Sequence, residues 1–239
     1  MKNKYIAGTR GSLLALKQTE IVINSLKEFY PELRVDVKIF KTLGDKMPDK
    51  PLDEINEDDV FTRELDNALL NGEIDFAVHS LKDVSLVLPD GLCISAIPKR
   101  EDSRDVLVSR DNLKLNELPE GAIVGVSSVR RADYLKKLRS DFEFKPIRGN
   151  IDERIKKVKE GLYDATILAA AGLKHLGLHD KIAEYFEIKD FAPAPGQGAL
   201  AVITRINDEK MKNIVKVINH EKDAKNALKE RNLQVETVR

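Results

Sequence analysis

Apolar residues fall into short clusters along the 239-residue chain, and the clusters alternate between two spacings. Tyr5-Ile6-Ala7 is a brief apolar run, cut off by Gly8-Thr9-Arg10-Gly11-Ser12. Beyond it Leu13, Leu14, Leu16, Ile21, Val22, Ile23 and Leu26 recur at helical spacing, with Ser12 placed as the N-cap. Val35, Val37 and Ile39 alternate with Arg34, Asp36 and Lys38, the period of a half-buried strand. A helix is predicted over about 61–70, ending before Asn71-Gly72, and Ile74 to Val78 reads as a buried strand that runs into His79-Ser80-Leu81-Lys82-Asp83. The second half repeats this order. Ile123 to Val126 is a strand broken at Ser127-Ser128, and a helix follows from about Arg130 to Leu138. Phe142, Phe144 and Pro146 alternate with charged residues; Arg148-Gly149-Asn150 opens a helix carrying Ile151, Ile155 and Val158 on one face; Asp164 to Ala171 is a very apolar strand. Alternating strands and helices predict an α/β protein.

Two correspondences fit either an internal duplication or the grammar that α/β chains share. Gly72-Glu73-Ile74-Asp75-Phe76-Ala77-Val78 matches Gly161-Leu162-Tyr163-Asp164-Ala165-Thr166-Ile167 in pattern, and the Gly8–Ser12 turn matches the Gly125–Ser128 turn. Duplication gives two similar lobes, with one boundary near Pro98–Asp102 and a second crossing in the Pro- and Gly-rich segment Pro193–Gly198. The expected organisation is residues 1–98 plus 199–218 as lobe 1, residues 103–194 as lobe 2, and residues 219–239 as a C-terminal helix. Two crossings between lobes make a hinged cleft, a common place for a ligand.

Charge changes this picture in one place. Lys+Arg and Asp+Glu both number 40, so the net charge is zero and binding of nucleic acid through bulk positive charge is not expected. Between Asp45 and Asp59, however, Asp45, Asp49, Asp53, Glu54, Glu57, Asp58 and Asp59 face only Lys46 and Lys50, which reads as an acidic surface loop. No stretch near the N-terminus fits a signal peptide or membrane span, and Cys93 is the sole cysteine, so the expected address is the cytoplasm. Cys93 reads as a small buried hydrophobe in the strand-like Leu92–Ile97. The histidines show no metal spacing and look like surface or turn residues.

Arginines recur where strands end and helices begin. Arg10 sits in the first such turn, Arg130 and Arg131 in the equivalent turn of the second half, Arg148 at the next helix start, and Arg154 one turn further on. A helix N-terminus already favours anions, and an arginine there opposes the helix dipole. A ligand with several carboxylates is a compensating reason, since a guanidinium holds a carboxylate with two hydrogen bonds. Ordinary surface pairing with nearby acids is the alternative. Asp83, just past a strand end beside Lys82, suits either proton transfer and stabilisation of a cation or a helix N-cap.

Taken together, Gly8–Ser12, Lys41–Asp45, Phe61–Leu65, Asp75–Asp83, Arg100–Asp105, Gly125–Arg131, Arg148–Asn150, Leu168–Lys174 and Pro195–Ala199 resemble hydroxymethylbilane synthase, also called porphobilinogen deaminase. The resemblance runs from about Ile6 to Arg231. It implies two lobes like those of periplasmic binding proteins, and a transferase that joins four porphobilinogen units head to tail with release of ammonia, in tetrapyrrole (heme) biosynthesis. It implies Asp83 as the catalytic carboxylate. Arg10, Arg130, Arg131, Arg148 and Arg154 would bind acetate and propionate groups, and Ser12, Ser80, Lys82 and Ser128 would line the site of a dipyrromethane cofactor. Of these arginines, Arg10, Arg148 and Arg154 would also serve the substrate. Neither nucleic acid, membrane nor metal is implied.

The chain departs from the family pattern in four respects. Residues 220–231 resemble the helix that begins a third domain, but the Gly-Gly-Cys segment expected next is replaced by Leu233–Val238, and Cys93 does not match the attachment cysteine. Covalent cofactor attachment by this chain is therefore not expected, and a separate chain would supply the third domain; the alternative is a non-catalytic two-lobe binder of polycarboxylate pyrroles. A flexible Gly-Gly-Lys-Gly loop is Asn56-Glu57-Asp58-Asp59 here, with Glu54 and Asp58 in place of lysines. An acidic lid opposes carboxylates by about 1 kcal/mol per exposed close pair. Val126 replaces a threonine and His175 an arginine.

Overall fold

The computed structural model describes residues 4–46 and 59–238, so most of the acidic loop lies outside the described residues. In chain order the elements are β1 (Lys4–Arg10), α1 (Leu13–Phe29), β2 (Arg34–Phe40), α2 (Leu43–Lys46), α3 (Arg63–Leu70), β3 (Phe76–Ser80), β4 (Leu92–Ala96), β5 (Asp105–Ser109), β6 (Ile123–Val126), α4 (Val129–Leu138), β7 (Glu143–Pro146), α5 (Ile151–Lys159), β8 (Ala165–Ala169), α6 (Ala170–His175), β9 (Glu184–Tyr185), β10 (Leu200–Arg205), α7 (Glu209–Lys216) and α8 (Glu221–Val238). They form two compact units, one of residues 4–46, 59–101 and 194–238, the other of residues 102–193.

The first unit is a five-stranded sheet in the order β2-β1-β3-β10-β4. β1 runs parallel to β2 and β3, while β10 runs antiparallel to β3 and β4. On one face Val22 and Leu26 of α1 and Met211 and Val215 of α7 pack on Tyr5, Phe76, Val78 and Val202. On the other, Leu65 and Leu69 of α3 and Ala224 and Ala227 of α8 pack on Ala77, Ala201 and Ile203. Ala224 and Ala227 of α8 thus supply part of the first unit's core. The second unit repeats the topology in the order β7-β6-β8-β5-β9, with β6 parallel to β7 and β8 and β5 antiparallel to β8 and β9.

The two Gly-x-x-Asp segments make the same local connection. Asp75 N–H donates to Ile6 O at 2.8 Å and its Oδ2 accepts from Ile6 N–H at 2.8 Å; Asp164 N–H donates to Ile123 O at 2.8 Å and its Oδ2 accepts from Ile123 N–H at 2.9 Å. Gly72 and Gly161 hold φ of 72° and 79°, a left-handed conformation that glycine adopts without Cβ strain, so each helix can stop and turn into the strand.

Local expectations hold in most places and shift in three. The strand from Asp164 ends at Ala169, and Ala170-Ala171-Gly172-Leu173 begins α6 instead, because alanine is the best helix former. Val37 and Ile39 lie on the edge strand β2 and are 45% and 58% exposed, so this strand buries less of its apolar face than its alternation predicts. His79 is not a surface residue: it lies buried in β3, and burial, with the Arg10 charge, pushes it down to about 4, so it is neutral at pH 7.

Asp66 on α3 is 3% exposed, and its Oδ1 has no hydrogen-bond partner among the described residues. Burial, with the nearby Asp59 charge, pushes its carboxyl up to about 6. A raised carboxyl means that the folded chain holds a proton the unfolded chain has lost. Stability therefore falls as pH rises through the window from the unfolded value to about 6, and stays reduced above it. Asp66→Asn is expected to add roughly 2–3 kcal/mol at pH 7.5 and to flatten that pH dependence. Thermal melts of both proteins at pH 4.5 and 7.5 check this; parallel melting curves would count against it.

Candidate active site

In the first unit the chemistry gathers where β1 and β3 end. Ser12 caps α1, its Oγ accepting from Ala15 N–H at 3.2 Å, as its place before a helical run requires. Arg10, the last residue of β1, is engaged already. It ion-pairs with Asp45, its Nε lies 3.3 Å from Asp45 Oδ2, and its guanidinium stacks 4.2 Å from the centre of the Phe61 ring. Asp45 also accepts from Thr42 Oγ1 at 2.7 Å and Thr42 N–H at 3.1 Å. Burial alone would raise Asp45; the Arg10 and Thr42 hydrogen bonds and the Arg10 charge overcome it and hold the carboxyl below its usual value.

β3 ends at Ser80 and passes into a single 3₁₀ turn, Leu81–Asp83. Ser80 Oγ accepts from Gln18 Nε2 at 3.0 Å, and Lys82 Nζ donates to Oε1 of the buried Gln197 at 3.1 Å. Asp83 is exposed at the last position of the turn and accepts no hydrogen bond among the described residues. The extended residue before the turn is Ser80, so Asp83 caps no helix and the N-cap alternative falls. An exposed carboxylate on a short, pinned turn is available to a ligand.

In the second unit the arginines converge on a few groups. Arg130 and Arg131 lie in the first turn of α4, where they oppose the helix dipole. Asp105 compensates. It is fully buried, taking Arg130 NH2 at 2.7 Å on one oxygen and Arg131 NH2 and Nε at 2.7 and 3.0 Å on the other. Arg130 also donates to Ala192 O, and Arg131 NH1 to Ile167 O at 3.0 Å. Burial would raise Asp105, but the two guanidinium charges and their hydrogen bonds keep it lowered.

Arg148 follows β7, and Arg154 lies on α5, whose N-cap Asn150 forms a capping box with Glu153. Arg154 Nε donates to Gly149 O at 2.8 Å, and the residue makes no ion pair among the described residues. Burial and the charges of Arg131 and Arg148 push Arg154 down to about 10. The three guanidiniums are thus close enough for Arg131 and Arg148 to act on Arg154 as like charges, with Glu153 opposing them in part. Ser128, before α4, makes no side-chain hydrogen bond among the described residues. These donors fit the carboxylates of a dipyrromethane.

The sole cysteine does not fit as that group's anchor. On β10, Leu200 pairs with Ser80 of β3 and Thr204 pairs with Cys93 of β4. Cys93 therefore lies toward the other end of the sheet from the Asp83 turn, about 13 Å along it at roughly 3.3 Å per residue. Its Sγ is half-buried against Ser95 Oγ at 3.3 Å and Thr204 Oγ1 at 3.9 Å, so it is a strand residue among hydroxyls rather than a buried hydrophobe. Among the described residues no three or more His, Cys, Asp or Glu are grouped to hold a metal ion.

Sequence reasoning passed over Asp45, Asp105, Gln18, Gln197 and Arg231 as partners of these groups. Asp105 had a signal: a carboxylate opening the apolar run Val106-Leu107-Val108 is buried at a cost unless it is paired.

Residues 6–213 match the family model described as "Porphobilinogen deaminase, dipyromethane cofactor binding domain". A porphobilinogen deaminase of Chlorobium phaeovibrioides is 46% identical over 220 residues, which span 92% of this chain and 70% of that protein. One from Fusobacterium nucleatum is 50% identical over 227 residues, 94% of this chain and 76% of that protein. Among solved structures, a putative methionine-binding lipoprotein of Bacillus subtilis aligns with a TM-score of 0.55 at 12% identity, over 93% of this chain and 92% of that chain. That likeness concerns the two-lobe α/β fold alone.

Proposed function

The chain belongs to the porphobilinogen deaminase family, the hydroxymethylbilane synthases of tetrapyrrole biosynthesis, and on that premise we propose how its residues serve this transferase activity. Arg154, with Arg131 and Arg148 beside it, takes the acetate and propionate groups of porphobilinogen and of the growing chain. Asp83 accepts a hydrogen bond from the substrate pyrrole N–H. Its charge stabilises the cation that develops as the bond to nitrogen breaks and ammonia leaves with the electron pair. Lys82, held by Gln197, adds a positive charge for a carboxylate beside that centre. Ser12, Ser80 and Ser128 line the cofactor site, Ser128 with an uncommitted hydroxyl. A bound dipyrromethane supplies the pyrrole end that is extended. Arg10 acts on a carboxylate after exchanging Asp45 for it.

The observation that carries this reading is Arg154, half-buried beside two like charges and without an ion pair among the described residues. Such a group is costly without an anion. Arg154→Gln is expected to lower kcat/KM for porphobilinogen about 10- to 100-fold, as loss of a charge-assisted hydrogen bond does. The melting temperature should not fall, since the lost charge was repelled. Unchanged kcat/KM, or a collapse of stability, would remove the assignment.

A second reading concerns the thiol. Because Cys93 lies away from the Asp83 turn, the attachment cysteine is not among these 239 residues, and a third domain that carries it is the partner we propose. Intact-mass measurement of the protein from a porphobilinogen-producing host should show no covalent dipyrromethane on this chain; such an increment would return the role to Cys93. The lone unpaired cysteine suits a reducing compartment, and the cytoplasm is the address we propose. Among the described residues no helix is long and apolar enough to cross a membrane.

A further inference from the structure

The turn that carries Asp83 is held from the far end of the chain. Arg231 on α8 is 6% exposed, and its guanidinium points into the peptide that follows β3. NH1 donates to Leu81 O at 2.7 Å, and NH2 donates to Val84 O and Ser85 O, both at 2.9 Å. Leu81 O also accepts from Val84 N–H within the turn, whereas Val84 O and Ser85 O lie beyond it, and one planar fork reaches all three carbonyls that flank Asp83. Its neighbour Glu230 holds the Gly196–Gln197 segment that packs beside the turn. Glu230 accepts from Arg100 NH1 and NH2 at 2.6 and 2.9 Å and from Gly196 N–H at 2.9 Å, while Arg100 Nε donates to Gln197 O at 2.8 Å. Gln197 in turn holds Lys82. A Cβ on Gly196 would approach the Leu81 side chain to 3.1 Å and Arg231 Cδ to 3.5 Å, so the three segments are in close contact.

We propose that Arg231 is a positioning residue for the reaction: it fixes the Leu81–Ser85 peptide so that the Asp83 carboxylate, which nothing else in the described structure holds by a hydrogen bond, stands at one place and angle. This rests on the catalytic reading of Asp83. The arrangement suits orientation more than stability. A guanidinium buried among neutral carbonyls makes no salt bridge among the described residues, and burial lowers its proton affinity, offset in part by the Asp83 charge. Among the described residues, the Asp83 carboxylate is the acidic charge that acts on Arg231.

The test is a double-mutant cycle on the full chain with whatever partner its turnover requires. Arg231→Lys keeps the charge and the aliphatic stem but cannot reach three carbonyls. It is expected to lower kcat about 10-fold or more, as misplacement of a catalytic group by a fraction of an ångström does, with KM for porphobilinogen changed less than about 2-fold. In an Asp83→Asn background, the same substitution should change the residual kcat less than about 2-fold. A wild-type kcat in Arg231→Lys, or the same loss in both backgrounds, overturns the proposal; the second result would make Arg231 merely structural. Arg231→Gln, read by the same ratios, replaces the lysine variant if that does not fold. Asp83→Asn alone with undiminished kcat would instead overturn the assignment of Asp83, which separates the two failures.

Discussion

Asp83→Ala is expected to lower kcat for porphobilinogen consumption at least about 100-fold, the usual loss when a preorganised group that stabilises transition-state charge is removed. The melting temperature should move by no more than a few degrees. The geometry supports the split between the two readouts. Asp83 is exposed and accepts no hydrogen bond among the described residues, so its side chain contributes little to the fold. Its backbone position is secured by others: Leu81 N–H donates to Ala199 O at 2.9 Å, Val84 N–H donates to Leu81 O at 3.2 Å, and Arg231 donates to Leu81 O, Val84 O and Ser85 O. Ammonia release and porphobilinogen loss, measured together, check the result. A kcat within about 3-fold of wild type would mean that the charge developing on the pyrrole is stabilised elsewhere.

Asp105→Ala is expected to be the most destabilising single change in the second unit. It leaves the guanidiniums of Arg130 and Arg131 facing a buried, uncharged hole. Breaking a buried pair from one side costs about 3–5 kcal/mol, because the stranded charge keeps its desolvation penalty. For a chain of this size that is roughly a 10 °C drop in melting temperature of the affected unit. Arg131 cannot escape to solvent easily, since it is 8% exposed and tied to Ile167 O. A pH effect accompanies it in the wild type. Asp105 is lowered when folded, so its contribution is present above the unfolded carboxylate value and is lost as pH falls through the lower, folded one. Calorimetry near neutral pH and in strong acid reads both. A melting temperature within about 2 °C of wild type would show that Arg130 and Arg131 find other acceptors.

These two residues stand at opposite ends of what could be seen in advance. Asp83 was legible as a carboxylate at a strand end within the Asp75–Asp83 motif, and only its role was ambiguous, between cap and catalyst. The turn geometry removes the cap, because Ser80 occupies the position that a cap would take, and catalysis is the role we propose. Asp105 was also in plain view, inside the Arg100–Asp105 motif. Its service to Arg130 and Arg131 was not, because it stands 25 and 26 residues from them. The five-arginine pattern correctly marked the ends of strands, yet it could not separate the members. Arg10 is occupied by Asp45, Arg130 and Arg131 share Asp105, and Arg154 makes no ion pair among the described residues while two like charges act on it.

Period and punctuation along the chain determined the α/β character, the repeated order of elements, the two Gly-x-x-Asp connections and the family. All of these are written in residues a few positions apart, and backbone sterics and local hydrogen bonds translate such spacing directly into helices, strands and turns. Tertiary structure alone decided who partners whom. Arg231 reaches carbonyls 146 to 150 residues away, His79 is buried rather than exposed, and sheet register carries Cys93 away from the turn it would have to serve. The physical reason is that a charge or carbonyl is satisfied by whatever group packing brings within about 3 Å, and strand order, not sequence distance, sets that neighbour.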